Sequence, residues 1–94
     1  MSSVTIFAEN RKTGSRPTAN VPVDGKQHTF GELFAGNDLD ANAVGVNGDL
    51  PKNVKIIFGP PADPDKFTVD NTPEVISQDA PKDIDKWKIK ASQN

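Results

Sequence analysis

Cysteine is absent from this chain of 94 residues, which excludes disulfide bonds, thiolate nucleophiles and zinc sites with cysteine ligands. Long apolar runs are absent as well. The longest is Ile56-Ile57-Phe58, whereas a membrane-spanning helix needs about 20 consecutive apolar residues. The N-terminal residues lack a basic segment followed by an apolar stretch, so we expect no signal peptide and a cytoplasmic or virion location.

A large charge of one sign is also lacking, because 11 basic and 13 acidic residues nearly cancel to a formal net charge of −2. A disordered polyelectrolyte and a general nucleic-acid binder both need a large uncompensated charge, so the composition argues against both. With 34% hydrophobic residues, the chain has enough apolar surface for one domain, residues 1–94, with a thin core.

Short segments rich in β-branched and aromatic residues predict strands. They lie at 4–8, 21–23, 26–29, 43–46, 52–58, 67–69, 74–76 and 87–91. Asp24-Gly25 predicts a hairpin turn between the second and third of these strands, because both residue types tolerate positive φ. Pro22 cannot donate a ladder hydrogen bond, which places its strand at a sheet edge.

One short helix is predicted at 29–35. Thr29 is a candidate N-cap with Glu32 three residues later, and Phe30, Leu33 and Phe34 share one face. We therefore expect a mainly β or α+β fold, a small antiparallel or mixed sheet covered by this helix, with a small β-barrel or sandwich as the alternative. The predicted core is Val4, Ile6, Val21, Val23, Phe30, Leu33, Phe34, Val44, Val46, Val54, Ile56, Phe58, Phe67, Val69, Val75, Ile76, Trp87 and Ile89.

Residues 30–34, a Phe-Gly-Glu-Leu-Phe segment, are followed by Leu-Asp at 39–40 and by an apolar strand with an Asn-Gly turn at 43–49. This order resembles the middle of small β-grasp, ubiquitin-like proteins, among them the sulfur carriers of thiamine and molybdopterin synthesis. The resemblance implies a β-grasp-like fold. Those carriers end in a Gly-Gly tail that is activated as an acyl adenylate, whereas residues 91–94 are Ala-Ser-Gln-Asn. The implied relative is a sulfur-carrier-like protein without the activatable tail, and no functional residue carries over.

Asp38, Asp40 and Asn42, with Asp49 at the twelfth position, have the spacing of oxygen ligands in a calcium-binding EF-hand loop. Ala43 stands where that loop needs glycine, and Asp49 replaces the bidentate glutamate. These departures favour a polar turn whose side chains bond their own backbone. An ion- or small-ligand-binding domain that uses this loop remains an alternative function.

His28 is the only histidine, and no serine lies in a Gly-x-Ser-x-Gly setting. A general acid or base needs a positioned partner and a substrate pocket, and the sequence indicates neither. We therefore expect no enzymatic activity, no catalytic residue and no cofactor. An enzyme would require His28 beside a carboxylate in an apolar cleft.

Two segments contain candidate binding residues. One is a predicted exposed loop with the basic residues Arg11, Lys12 and Arg16, and the other is a rigid connection with Pro60 and Pro61. They favour a non-catalytic protein–protein interaction module that contacts its partner through sheet edges or the proline-rich loop. Small phage-type proteins that decorate a capsid, assist assembly or inhibit a host complex belong to this class.

The expected partner is therefore another protein, or a second copy of this chain. Membrane association is not expected, and nucleic-acid binding by the arginine loop is disfavoured. Lys88 and Lys90 alternate with apolar residues in the last predicted strand. Lysines in such a pattern are typical of an edge strand, where they block pairing with other chains.

Overall fold

The computed structural model describes residues 2–10, 13–35, 43–65, 67–70, 75–77 and 84–93, with the backbone alone for 67–70 and 75–77. The strands are β1 (Ser3–Glu9), β2 (Thr18–Pro22), β3 (Gln27–Thr29), β4 (Ala43–Val46), β5 (Val54–Gly59), β6 (Phe67–Asp70), β7 (Val75–Ser77) and β8 (Lys88–Gln93). A short helix α1 (Phe30–Leu33) and a 3-10 helix (Ile84–Lys86) complete them. The predicted fold class, mainly β or α+β with one short helix, is confirmed.

The strands form two antiparallel sheets, in the orders β2-β1-β4-β7 and β3-β8-β5-β6. Both sheets contribute to a single buried cluster, in which Ile6 and Val44 of the first sheet join Ile56 and Ile89 of the second. The two sheets therefore face each other across one core. This two-layer arrangement is that of the sandwich alternative, whereas the favoured expectation had one sheet beneath the helix.

The predicted hairpin across Asp24-Gly25 is wrong, because the flanking strands belong to different sheets. β2 stays with β1, and the Val23 backbone N–H donates to the Ser2 carbonyl at 3.0 Å. β3 pairs with β8, and the Gly25 N–H donates to the Ala91 carbonyl at 2.9 Å. The turn therefore carries the chain from one sheet to the other. The expected edge position of the strand that contains Pro22 is confirmed.

Helix α1 is shorter than the predicted range and begins after Thr29, whose hydroxyl accepts a hydrogen bond from the Glu32 backbone N–H at 3.2 Å. The predicted N-cap is thus confirmed. Phe30 and Phe34 are buried, and the helix lies against β2, β3 and the 3-10 helix. Within the described residues, no helix has the length and apolar character needed to cross a bilayer.

Four aromatic rings form the centre of the core at the helix end. The Phe58 ring centroid lies 5.8 Å from that of Phe30 and 5.9 Å from that of Trp87. Phe34 lies 5.8 Å from Phe30. These tilted contacts connect β5, α1 and the residue before β8, so the short helix depends on tertiary packing for its stability.

Most of the predicted core is buried, and Val23 and Leu33 are half-buried at its margin. The side chains of Phe67, Val69, Val75 and Ile76 lie outside the described residues. Several further residues are buried without having been predicted to be: Phe7, Ala8, Asn10, Ala43, Leu50, Ile84 and Ala91. The alanines are small enough to fit where backbone and side chains pack closely, which hydrophobicity alone does not indicate.

Candidate binding surfaces

The outer face of the second sheet carries three lysines around one isoleucine. In β8 the residues alternate between buried and half-buried, so Lys88 and Lys90 point away from the core. In β5 the same alternation turns Lys55 and Ile57 outward. We call these four residues the lysine face. β8 lies between β3 and β5, so the prediction that its lysines protect an edge strand is wrong.

The strand register brings the members of the lysine face together. Lys90 is the partner of Ile57, and Lys88 is the partner of Gly59, which has no side chain. Directly opposed residues have Cβ atoms about 4.5–5.5 Å apart, and residues two apart on one strand are about 7 Å apart. Among the described side chains, no carboxylate oxygen lies within 4.0 Å of the three ammonium groups. Lys55 is the register partner of Asp70 on β6, whereas Lys88 and Lys90 pair with uncharged residues on both neighbouring strands. The charges of Lys88 and Lys90 are therefore the ones that an acidic ligand can meet.

The proline-rich loop lies alongside the lysine face. Pro61 is exposed and Pro60 is half-buried, and a turn joins the Asp63 N–H to the Pro60 carbonyl at 2.9 Å. Farther along the loop, Pro64 and Asp65 border a shallow surface depression on this sheet. Its other lining residues are Gln27, Ile57, Lys88, Ile89 and Lys90. The loop residues beside Lys88 and Lys90 are thus Pro64 and Asp65, while the predicted Pro60 and Pro61 do not line this depression.

Of the predicted basic loop, Arg16 is described, while Arg11 and Lys12 lie outside the described residues. Arg16 is exposed, and its guanidinium carbon lies 3.9 Å from the centroid of the Phe7 ring. This is a cation–π contact. The Asn10 N–H donates to the Ser15 carbonyl at 2.9 Å, and this antiparallel bridge continues the pairing of β1 with β2.

His28 lies between two carboxylates, those of Asp24 and Glu32, which its sequence pattern did not predict as partners. Its Nε2 is 3.2 Å from Asp24 Oδ2, and its Nδ1 is 3.4 Å from Glu32 Oε2. The His28 and Asp24 side chains are each 19% exposed, and that of Glu32 is 64% exposed. Both acids stand four residues from the histidine, but that spacing brings side chains together here only because a turn precedes β3 and a helix follows it.

The pKa of Asp24 is lowered from its ordinary value, chiefly because the Lys26 backbone N–H donates to its carboxylate at 2.9 Å. Partial desolvation opposes this shift, and the hydrogen bond and charge of His28 add to it. The Asp24 carboxylate therefore stabilises both the turn between the sheets and the orientation of His28.

The His28 cluster does not have the geometry of a metal site. The two ring nitrogens face different carboxylates, so Asp24, Glu32 and the imidazole cannot converge on one ion. Across the residues that the structure describes, no group of histidine and acidic side chains could hold a metal ion. Of the predicted calcium ligands, Asp38, Asp40 and Asn42 lie outside the described residues, and Asp49 is exposed.

The enzyme hypothesis required a carboxylate beside His28 and an apolar cleft around both. The first condition is met. The small cavity between the sheets, about 10 Å³, is lined by apolar residues and does not include His28. The depression beside the proline-rich loop does not include it either.

No protein-family model, curated protein or solved structure matches the chain. The β-grasp resemblance of residues 30–49 therefore remains a prediction. Its coarser content, a small, mostly β structure with one short helix, is present.

Proposed function

We propose that this protein is a non-catalytic binding module that holds an acidic segment of a partner protein on the lysine face. The observation that carries this function is the position of Lys88 and Lys90 beside Ile57, with uncharged register partners on both neighbouring strands. The chain as a whole has a net charge of −2. A positive face on such a chain orients an acidic ligand and accelerates its association.

The lysine face suits an extended peptide. Residues two apart in an extended chain are separated by about 6.6 Å, the same repeat that separates Lys88 from Lys90 on β8. Carboxylates at alternate positions of a partner can therefore meet both ammonium groups. An apolar side chain beside them can cover Ile57, whose half-buried position lets it gain further burial.

A protein ligand fits this face better than a nucleic acid does. Surfaces that bind single strands combine basic residues with aromatic side chains on which the bases stack. The described part of this face presents Ile57 and no aromatic ring. Three lysines also neutralise too few phosphates for strong binding at physiological salt.

The sheet edges offer a less favourable contact surface than the lysine face. The described edge strands are short: β3 and β7 have three residues each and β6 has four, and β2 ends at Pro22, which has no backbone N–H. A β-grasp-like fold, which the resemblance of residues 30–49 implies, would be compatible with a binding role.

The test is a titration of the isotopically labelled protein with a short poly-glutamate peptide at low salt, followed by amide NMR shifts. We expect the shifts to concentrate in β5 and β8. A Lys88→Glu/Lys90→Glu double variant should weaken binding by about tenfold, since reversing two charges removes about 1.4 kcal/mol or more. Lys52→Glu, in the exposed turn before β5, is a control that reverses one charge outside the lysine face.

Two outcomes would contradict the proposed function. One is a loss of about threefold or more in the Lys52→Glu control, half the free-energy loss of the double variant, which would mean that the peptide senses only net charge. The other is tighter binding of oligothymidylate than of poly-glutamate under the same conditions, which would indicate a nucleic-acid ligand.

A further inference from the structure

Phe7 is a large aromatic residue on the outer face of the first sheet. Its neighbours Ile6 and Ala8 belong to the core between the sheets, so alternation along β1 turns Phe7 to the opposite side. It is nevertheless only 2% exposed. Its register partner on β4 is Gly45, which has no side chain to cover that part of the sheet.

Arg16 lies on this face at the register position opposite Glu9, as the pairing of Phe7 with Thr18 and of Asn10 with Ser15 requires. The guanidinium carbon nevertheless lies over the Phe7 ring, 3.9 Å from its centroid. Within the described residues it has no hydrogen bond and no carboxylate within 4.0 Å.

The stacked geometry has a consequence for recognition. A guanidinium carries five N–H donors in the plane of the group, and Arg16 lies over the ring without using any of them in a described hydrogen bond. The ring also restricts the side chain before a ligand arrives, which lowers the entropic cost of binding. Two parallel N–H groups held in this way match the two oxygens of a carboxylate or phosphate.

We propose that Arg16, oriented by Phe7, is a second anion-recognition site, which binds one oxyanion of the carboxylate or phosphate type through its guanidinium edge. The site does not depend on the lysine face. Arg16 lies on the outer face of the first sheet and the lysines on the outer face of the second, with the core between them. The protein thereby has the means to contact two anionic groups on opposite sides.

The chain has two arginines, Arg11 and Arg16, so its side-chain Nε–Hε NMR spectrum contains two signals. Arg11→Lys assigns them. We expect the Arg16 signal to be displaced by the ring current of Phe7 and to lose that displacement in Phe7→Leu. Titration with inorganic phosphate, and separately with acetate, at constant ionic strength then measures binding at each arginine.

The proposed site predicts that the Arg16 signal moves to saturation with at least one of the two anions. Arg16→Lys keeps the charge but loses the planar fork, and should weaken this anion binding by about fivefold, as followed by the backbone amide shifts around residue 16. Arg11→Lys should leave it unchanged. The stronger of the two titrations identifies the oxyanion class.

The proposed site is overturned if both arginine signals move in parallel without saturation, or if Arg16→Lys binds the anion as well as the unmodified protein does. Arg16 is exposed, so its replacement tests the site even if Phe7→Leu fails to fold.

Discussion

Thr29 and Glu32 form half of a capping box: the Thr29 hydroxyl accepts a hydrogen bond from the Glu32 backbone N–H at 3.2 Å. In the complete motif the glutamate side chain returns a bond to the backbone of the cap residue. Here the Glu32 carboxylate lies 3.4 Å from His28 Nδ1. The Glu32 side chain thus connects the first turn of α1 to His28 on β3 and does not complete the capping box.

Thr29→Ala is expected to lower the free energy of unfolding by about 1 kcal/mol, because one N–H of the first helical turn loses its acceptor. Urea denaturation followed by Trp87 fluorescence measures the loss. Thr29→Ser keeps the hydroxyl and should recover most of the stability. An equal loss in both variants would show that the threonine methyl group, and not the hydrogen bond, is responsible.

Asp24→Asn is expected to change how stability depends on acid. The pKa of Asp24 is lower in the folded state than its ordinary value of 3.8, so the ionised carboxylate stabilises the fold above that value. This contribution is lost as the pH falls through the lower, folded-state pKa. The variant should therefore be less stable than the unmodified protein near neutral pH, and the two curves should converge in acid.

Unfolding free energies at a series of pH values test the Asp24 prediction. Asp49→Asn, which removes one carboxylate from an exposed turn, is the control. Curves for Asp24→Asn and the unmodified protein that stay parallel down to about pH 2 would show that the carboxylate makes no net ionic contribution to stability.

Local patterns in the sequence predicted the elements well, because each depends on its own residues. β4 has the bounds expected from its Ala-Val-Gly-Val segment before an Asn-Gly turn. The N-cap at Thr29 depends on side-chain chemistry within one helical turn. The division into two sheets could not be predicted in the same way. Asp24-Gly25 indicates a reversal of the chain, but whether the next strand joins β2 or β8 depends on distant residues.

The candidate surfaces were predicted less completely, for the same reason. Alternation in the last strand showed that Lys88 and Lys90 share a face, but their position beside Ile57 depends on pairing with a strand more than 30 residues earlier. The stack of Arg16 on Phe7 likewise needs the β1–β2 register. Sequence spacing identified the charges, and only the tertiary pairing identified what surrounds them.

Phe58→Leu is expected to lower the free energy of unfolding by about 1–2 kcal/mol, because Phe58 has ring contacts with both Phe30 and Trp87. Phe34→Leu removes one described ring contact, with Phe30, and should cost about half as much. Denaturation curves of the two variants, recorded by circular dichroism, give the comparison. A larger loss for Phe34→Leu would place the stabilising centre at the helix end instead of at β5.

Asp65→Asn is expected to raise the affinity for an acidic peptide by about two- to threefold, because Asp65 borders the depression that contains Lys88 and Lys90 and repels a carboxylate that approaches them. Asp63→Asn removes the same charge from the same loop at a residue that does not line the depression, and should change the affinity less. Poly-glutamate titrations of both variants at one low salt concentration make the comparison. Equal gains would mean that the peptide responds to the net charge of the loop, whereas a gain confined to Asp65→Asn would place the bound acid at the depression itself.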